Sequence, residues 1–182
     1  MQPADGKVIR NPLTGELIVI RRTGAETGGR LLVFDLHLPP GVHVPASHVH
    51  PAQEEVFTVL AGRMRFRIGR RTLLAGPGDR VAVPPETVHW FANPGPETAH
   101  ARVEVSPALR MQELLEAQHD MVSGGTLPFT RLPRPRDLVL FLAEFERELR
   151  VPYVPRLPSR ALLAALAWLA RRSRSRATRL GS

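Results

Sequence analysis

Between about Val8 and Val105 the sequence consists of short runs of β-type residues interrupted by Gly, Pro and Asn. Runs of this kind are typical of an all-β sandwich or barrel, and no long helix fits among them. The clearest run, residues 63–68, alternates strictly, so its three Arg side chains are predicted to face solvent and Met64, Phe66 and Ile68 to face a core. One face of this strand is therefore predicted to be solvent-exposed and the other buried.

Six further runs complete a set of strands large enough to close two facing sheets. Turn signals such as Gly76-Pro77-Gly78 and Asn93-Pro94-Gly95 separate some of them. The predicted strands are Leu17 to Arg22, Arg30 to Leu38, Glu54 to Leu60, Asp79 to Val83, Val88 to Ala92 and Thr98 to Val105.

The period of the pattern changes at Ser106-Pro107, which has the form of a helix start, and this first helix is predicted to end at residues 123–125. A second helix is predicted from about Arg136 to Arg150, with one apolar stripe, and a third from about Ser159 through residues 161–170 into an Arg-rich tail. The chain is thus divided into a β-barrel at 1–106 and a helical C-terminal extension with a basic tail at 107–182. The stripe of the second helix consists of Leu138, Phe141, Leu142, Phe145 and Leu149.

The formal charge of +8 is confined to the last third of the 182-residue chain. Residues 1–130 hold thirteen basic and thirteen acidic side chains, whereas residues 131–182 hold twelve Arg against four acids. Since the barrel segment is balanced, we expect no nucleic-acid partner. The segment 160–180 is predicted to pack on its own domain or on a partner, with peripheral contact to a membrane as the alternative.

Features that the sequence lacks limit the possible metal ligands and the expected location of the protein. The chain has no Cys, so a metal site must use His and carboxylate ligands. The N-terminus lacks the pattern of a signal peptide, and the longest apolar run, 161–170, is about half of the ~20 residues that a membrane span needs. We therefore expect a cytoplasmic protein.

Four potential metal ligands lie in the predicted barrel, three of them close together in sequence. His48 and His50 are two residues apart, so in an extended segment both project to the same side. Glu55 opens a strand in which every second residue shares its face, and a buried carboxylate there would be costly unless paired or bound to metal. His89 begins a later strand. Imidazole nitrogen and carboxylate oxygen suit divalent iron, manganese, nickel or zinc, and four ligands leave two positions of an octahedral ion open.

The residues around these ligands resemble the two motifs of the cupin superfamily. The segment 41–62, GVHVPASHVHPAQEEVFTVLAG, is similar to the first motif, with a glycine, HxH, a glutamate and a final glycine. The segment 78–93, GDRVAVPPETVHWFAN, is similar to the second, with a glycine, a proline, the histidine and an asparagine three residues beyond it. The resemblance is to small single-domain cupins of the conserved-barrel kind.

This resemblance implies a mainly β fold, the cupin jelly roll or double-stranded β-helix barrel, followed here by the helical extension. It implies one divalent metal ion on His48, His50, Glu55 and His89, in a metal-binding core at about 30–105 of the barrel, and a homodimer. The sequence departs from the second motif at Glu86, where glycine is usual, and a positive φ there would strain a glutamate and shift His89. Glu54 competes with Glu55 as the ligand, but on a strand it points the opposite way.

Candidate pocket residues are apolar positions that share the predicted interior with the ligands, although core packing is the alternative role for each. They are Phe57, Val59, Met64, Phe66 and Phe91. Asn93 is expected to tie down its loop, and the other histidines, at positions 37, 43, 100 and 119, are expected on the surface or in satisfied core positions.

Three functions fit these residues, because a fold alone does not determine a reaction. The first is a metal-dependent enzyme on a small organic substrate, either dioxygenase-like or promoting isomerisation, cyclisation or decarboxylation as a Lewis acid. The second is a non-catalytic module that binds or senses a small ligand and passes the signal to a partner through its helical tail. The third is a structural metal that joins strands. The sequence identifies no catalytic proton-transfer residue.

Overall fold

The computed structural model describes residues 6–123 and 135–152, with the side chains of 44–46, 135 and 136 left out. In that part of the chain all the strands precede the two α-helices. The strands are β1 Val8–Arg10, β2 Leu17–Arg22, β3 Leu32–Leu38, β4 His43–His48, β5 Glu54–Ala61, β6 Met64–Ile68, β7 Arg71–Ala75, β8 Arg80–Val83, β9 His89–Ala92 and β10 Ala99–Ser106. The helices are a short 3₁₀ turn at Ala25–Thr27, α1 at Met111–Ser123 and α2 at Pro135–Glu144.

The strands form two antiparallel sheets. The larger sheet has the order β1-β2-β3-β10-β5-β8, and the smaller one has the order β4-β9-β6-β7. Neighbours in space are mostly distant in sequence, as in a jelly roll, where strands of one half pair with strands of the other. The predicted fold, a mainly β cupin-type barrel with a helical extension, is confirmed.

The interior follows the alternation that the sequence predicts. Met64 and Phe66 are fully buried, while Arg65 and Arg67 on the same strand are exposed. Phe57, Phe66 and Phe91 meet in the middle, with ring centroids 5.1 to 6.2 Å apart. These three rings belong to the apolar core of the barrel.

A glycine closes the turn between β5 and β6. Gly62 has φ +69°, and a Cβ there would lie 2.9 Å from the Cα of Ala99 on the adjacent strand. Only glycine fits both the positive φ and this close approach, so the final glycine of the first motif has a packing reason.

The strands that the sequence analysis missed are β1, β4 and β7, and the remaining strands agree with prediction to within one or two residues. The first helix begins at Met111 instead of Pro107, because β10 continues to Ser106 and keeps pairing with Glu54. The second helix ends at Glu144 rather than near Arg150. Residues 145–148 form turns, and the backbone of Arg150 bonds to Val49 in an isolated β-bridge.

Both helices pack on the barrel rather than standing apart from it. Ala108, Met111, Leu114, Phe141 and Phe145 belong to the same hydrophobic cluster as the inward residues of the larger sheet. The division at residue 106 stays a prediction. The predicted third helix and the segment 160–180 lie outside the described residues. No helix among the described ones has the length and apolarity to cross a membrane.

Candidate metal centre and cavity

The four predicted ligands come together because of strand register. His48, the last residue of β4, pairs directly with His89, the first residue of β9, in the smaller sheet. His50 follows two residues later on the same side, while Glu55 reaches the site from β5 in the larger sheet. The site therefore lies between the two sheets, and all four side chains are buried.

The ligand atoms face one another at short range. One ligand atom from each of the four residues can be chosen so that all lie within 4.8 Å of one another. The Nε2 atom of His89 lies 3.0 Å from Oε2 of Glu55, and the Nε2 atom of His50 lies 3.4 Å from the same oxygen. The Nε2 atoms of His48 and His50 are 3.1 Å apart. Glu54 is exposed, as its opposite parity on β5 predicts.

Backbone carbonyls hold two of the rings from behind. The Nδ1–H of His89 donates to the carbonyl of Thr87 at 3.0 Å, and the Nδ1–H of His50 donates to the carbonyl of Glu148. A carbonyl only accepts hydrogen bonds, so each of these rings carries a proton on Nδ1, and its Nε2 atom faces the centre of the cluster. This arrangement is the usual support for a metal-ligating histidine.

The carboxylate and imidazoles influence each other strongly. Burial raises the pKa of Glu55, but the charge of His50 and the hydrogen bonds from His50 and His89 outweigh it and hold that pKa well below its ordinary range. Burial likewise opposes protonation of His50, yet the Glu55 charge and the hydrogen bonds leave its pKa raised. Glu55 is thus an anion held in the protein interior by neighbouring cationic or donor groups.

The residues fit a divalent metal ion. Three imidazole nitrogens and one carboxylate oxygen are a donor set for first-row divalent metals. Ligand atoms on opposite sides of such an ion are about 4.2 Å apart, twice a bond of ~2.1 Å, so the 4.8 Å spread needs only a slight contraction. A positive ion would also neutralise the buried Glu55, whose burial is otherwise costly.

A cavity of about 240 Å³ opens onto this cluster. It is lined from the barrel and, in equal part, from residues after 106, and nearly all of the lining is apolar. The lining residues are Glu16, Ile18, Phe34, Leu36, Ser47, His48, His50, Glu55, Phe57, Phe91, Met111, Leu114, Leu115, Gln118, Met121, Leu138, Phe141, Leu142, Leu149 and Val151.

The candidate pocket residues separate into two groups. Phe57 and Phe91 line the cavity. Val59, Met64 and Phe66 do not, since they are fully buried farther inside the barrel and pack in the closed core. The core-packing alternative holds for these three, because the inward face of a strand extends beyond the part that meets the cavity.

The other residues singled out in the sequence have structural roles or lie away from the cluster. Asn93 donates to the carbonyls of Leu38 and Glu97, so it ties down its loop as expected. His37 stacks on His100, with ring centroids 4.2 Å apart, beside Asp35 of β3. His43 is exposed at the start of β4, and His119 is half-buried on α1.

Glu86 does adopt the positive φ that the second motif requires, at +57°. His89 nevertheless lies in the cluster, so the shift of His89 that a strained Glu86 was expected to cause is not observed. The backbone N–H of Glu86 donates to the carbonyl of His50 at 2.9 Å, and its side chain accepts from Arg150 at 3.3 Å. These contacts compensate for a strained residue.

Two features of the site were missed by the sequence analysis. The carbonyl of Glu148 carries no side-chain signature and could not be recognised. Glu16 lines the cavity with its carboxyl group buried, and the alternation of β2 could have revealed it, because Glu16 has the same parity as the inward residues Ile18 and Ile20.

Part of the chain is similar to known proteins. Residues 34–105 match the family model described as Cupin domain. A predicted oxalate decarboxylase from Thermotoga maritima superposes with TM-score 0.50 at 19% identity, over 56% of this chain and 91% of that one. A Klebsiella pneumoniae protein with a double-stranded β-helix domain has TM-score 0.45 at 26% identity, over 60% and 84%. No curated protein matches the chain.

The fold and the buried His, His, Glu, His group define a β-barrel protein with a site that could hold a metal ion. Residues 34–105, the main part of this barrel, match a cupin domain. The structural likenesses, at these identities, concern the fold and leave the reaction open.

Proposed function

We propose that this protein holds one divalent metal ion on His48, His50, Glu55 and His89 and acts there as an enzyme on a small, largely apolar organic substrate. The observation that carries the proposal is that three of these residues, His48, His50 and Glu55, also line the apolar cavity. A molecule in the cavity therefore lies directly against the cluster.

The protein's own groups prepare this site in three ways. The carbonyls of Thr87 and Glu148 fix the rings of His89 and His50, so two ligands are oriented before any ion binds. The apolar lining excludes water and strengthens every electrostatic contact inside. The single carboxylate leaves a divalent site with net positive charge, which favours an oxygen-bearing, electron-rich substrate group.

Bound at this cluster, the ion would supply Lewis-acid or redox chemistry. The proposal covers both dioxygenase-like oxidation and isomerisation or cyclisation, because the same donor set serves iron, manganese, nickel and zinc.

The helical residues in the cavity wall favour a second candidate function. Half of the lining residues come from α1, α2 and the segment that follows, so a ligand would touch the helical extension as much as the barrel. A non-catalytic module could use that contact to report ligand binding to a partner of the Arg-rich C-terminal segment.

The experiment is elemental analysis of full-length protein purified without chelator, followed by oxygen-uptake assays with iron-loaded protein and phenolic, enolic and thiol substrates. We expect about one metal ion per chain, bound by wild type and by His119→Ala, a substitution of a histidine outside the cluster, and lost from His89→Ala. Equal metal content in His89→Ala would contradict the site. Bound metal with no turnover on any substrate, in uptake or product assays, would favour the sensing module.

We also propose that the protein is a homodimer, which the family resemblance implies. Light scattering on full-length protein is expected to give twice the monomer mass of 20.2 kDa. A monomer at micromolar concentration would contradict this proposal.

A further inference from the structure

Glu16 is a buried carboxyl group that the proposed metal centre does not use. It stands immediately before β2 and shares the inward parity of Ile18 and Ile20, both members of the core. Only 6% of the residue is exposed, and it lines the same cavity as His48 and Glu55. A buried carboxyl group outside the cluster is unusual, since buried acids are rare unless paired.

The protein satisfies this carboxyl group only in part. Its side-chain partner is Asn11, whose Oδ1 already accepts from the backbone N–H groups of Leu13 and Thr14. The Asn11 amide N–H₂ is therefore the donor that faces Glu16. Among the described residues Glu16 takes part in no ion pair. A carboxylate offers about four acceptor positions, so acceptor capacity remains on the cavity side.

The surroundings of Glu16 add polarity at this end of the cavity. Gln118 of α1, half-buried, lines the main cavity and also a small neighbouring cavity that Glu16 and His119 share. Burial raises the pKa of Glu16 to about 7, which measures how poorly the protein alone solvates the charged form. Groups held in this way inside a cleft are typical of functional sites.

We propose that Glu16 is a second binding group of the cavity, which accepts a hydrogen bond from a hydroxyl or amine at one end of a largely apolar ligand. The opposite, oxygen-bearing end of that ligand lies at the His48, His50, Glu55 and His89 cluster, and this second half rests on the proposed function. The substrate class is thus an apolar molecule with a polar group at each end, rather than a simple hydrocarbon acid or a sugar.

The topology places the two polar ends well apart. Glu16 borders β2 and Glu55 lies on β5, three strand steps away through β3 and β10. At ~4.8 Å a step this is about 14 Å measured along the sheet, and the curvature of the barrel shortens the path through the cavity. The apolar residues between them, including Ile18, Phe34, Leu36 and Phe57, would contact the body of the ligand.

The test uses straight-chain primary alcohols as probes, with methyl ethers of the same heavy-atom count as controls that lack the donor. Dissociation constants are measured by calorimetry on full-length wild type, Glu16→Leu and Glu16→Gln. We expect wild type to bind the best-fitting alcohol about tenfold more tightly than its ether, because one hydrogen bond to a charged group contributes that much. Glu16→Leu should lose this preference, and Glu16→Gln should keep part of it.

Three results would overturn the assignment of Glu16. They are no alcohol preference in wild type, an undiminished preference in Glu16→Leu, and no binding of either probe series to any variant. Circular dichroism on each variant ensures that a lost preference reflects the missing carboxyl group in a folded chain.

Repeating the titrations after chelation separates this assignment from the metal centre. The alcohol preference should persist without metal, since Glu16 does not belong to the cluster. ω-Hydroxy carboxylates should in addition bind more tightly to metal-loaded than to chelated wild type. If they do not, the proposed metal function fails while the Glu16 contact stands. If the alcohol preference disappears on chelation, the donor is recognised at the cluster and the Glu16 assignment is wrong.

Discussion

The ring of His50 donates its Nδ1–H to the backbone carbonyl of Glu148, 98 residues farther along the chain. Two backbone hydrogen bonds of 2.9 and 3.0 Å between Val49 and Arg150 hold that carbonyl in place. Gln53, between His50 and Glu55 in sequence, donates to the carbonyls of Pro107 and Ala108. The described part of the helical extension is therefore attached at residues 107–108 and 148–150 to the loop that carries the candidate ligands, although the family match ends at residue 105.

Arg150→Pro is expected to weaken metal binding about 10- to 100-fold without removing any ligand, the usual cost of losing a group that orients a metal ligand. Proline has no N–H to donate to the carbonyl of Val49, so the bridge opens and the Glu148 carbonyl moves away from His50. The measurement is competition for the metal with a chromophoric chelator. Arg150→Ala is the matched control.

Arg150→Ala keeps the backbone bridge and loses only the partly exposed ion pair to Glu86, so its metal affinity should stay close to that of the parent. Metal binding by Arg150→Pro that equals the parent's would show that the extension does not position His50.

Gln53→Leu is expected to lower the free energy of unfolding by about 2 kcal/mol, because it leaves the carbonyls of Pro107 and Ala108 without their donor. Gln53 is fully buried, so water cannot replace it without rearrangement. Urea titration gives the value. Gln112→Leu, which removes only a hydrogen bond to Glu116 on α1, should change stability by less than about 0.5 kcal/mol. Similar losses in both variants would contradict this role of Gln53.

Metal removal is expected to destabilise wild type but not His89→Ala. An ion that binds only the folded chain stabilises it by about 2.7 kcal/mol at a free concentration 100 times the Kd. Thermal unfolding with and without chelator measures the shift. His100→Ala, whose ring lies beside Asp35 and outside the cluster, should respond to chelator like wild type. An equal chelator effect in His89→Ala would place the metal elsewhere.

The sequence predicted the features that alternation and spacing determine. The strict alternation of 63–68 placed Met64 and Phe66 inside. The resemblance to the two cupin motifs brought His48, His50, Glu55 and His89 together as candidate ligands, and the structure places them in one cluster. The sequence analysis missed β4, whose run contains Pro45 and Ser47, because neither residue type is common in strands.

Other parts of the site depend on tertiary contacts that local patterns do not encode. The apolar stripe of α2 predicted a buried face but not that this face would cover the cavity. The helix stops at Glu144 even though the stripe continues, because Arg150 forms backbone bonds with Val49 instead of with a helical turn. A backbone carbonyl such as that of Glu148 leaves no trace in the pattern of side chains.

Glu16→Gln is expected to remove a pH dependence of stability that wild type shows between the ordinary carboxyl pKa of 4.5 and about 7. The folded-state pKa of about 7 lies above the ordinary value of 4.5, so between these values the folded chain binds more protons than the unfolded chain. The free energy of unfolding then falls as the pH rises, by about 3 kcal/mol in total, and stability is highest below the unfolded pKa as far as this group is concerned.

Urea titrations at about pH 5 and about pH 8 measure this difference. Glu16→Gln should lose less stability than wild type over the interval, since a neutral amide does not titrate. The control is His119→Gln, which changes a residue that borders the same small cavity and leaves the carboxyl group of Glu16 in place. If wild type and Glu16→Gln lose stability equally, the carboxyl group of Glu16 is solvated in the folded chain. That result would also weaken the case for Glu16 as the second binding group of the cavity, because water would already supply the hydrogen bonds that the ligand is proposed to donate.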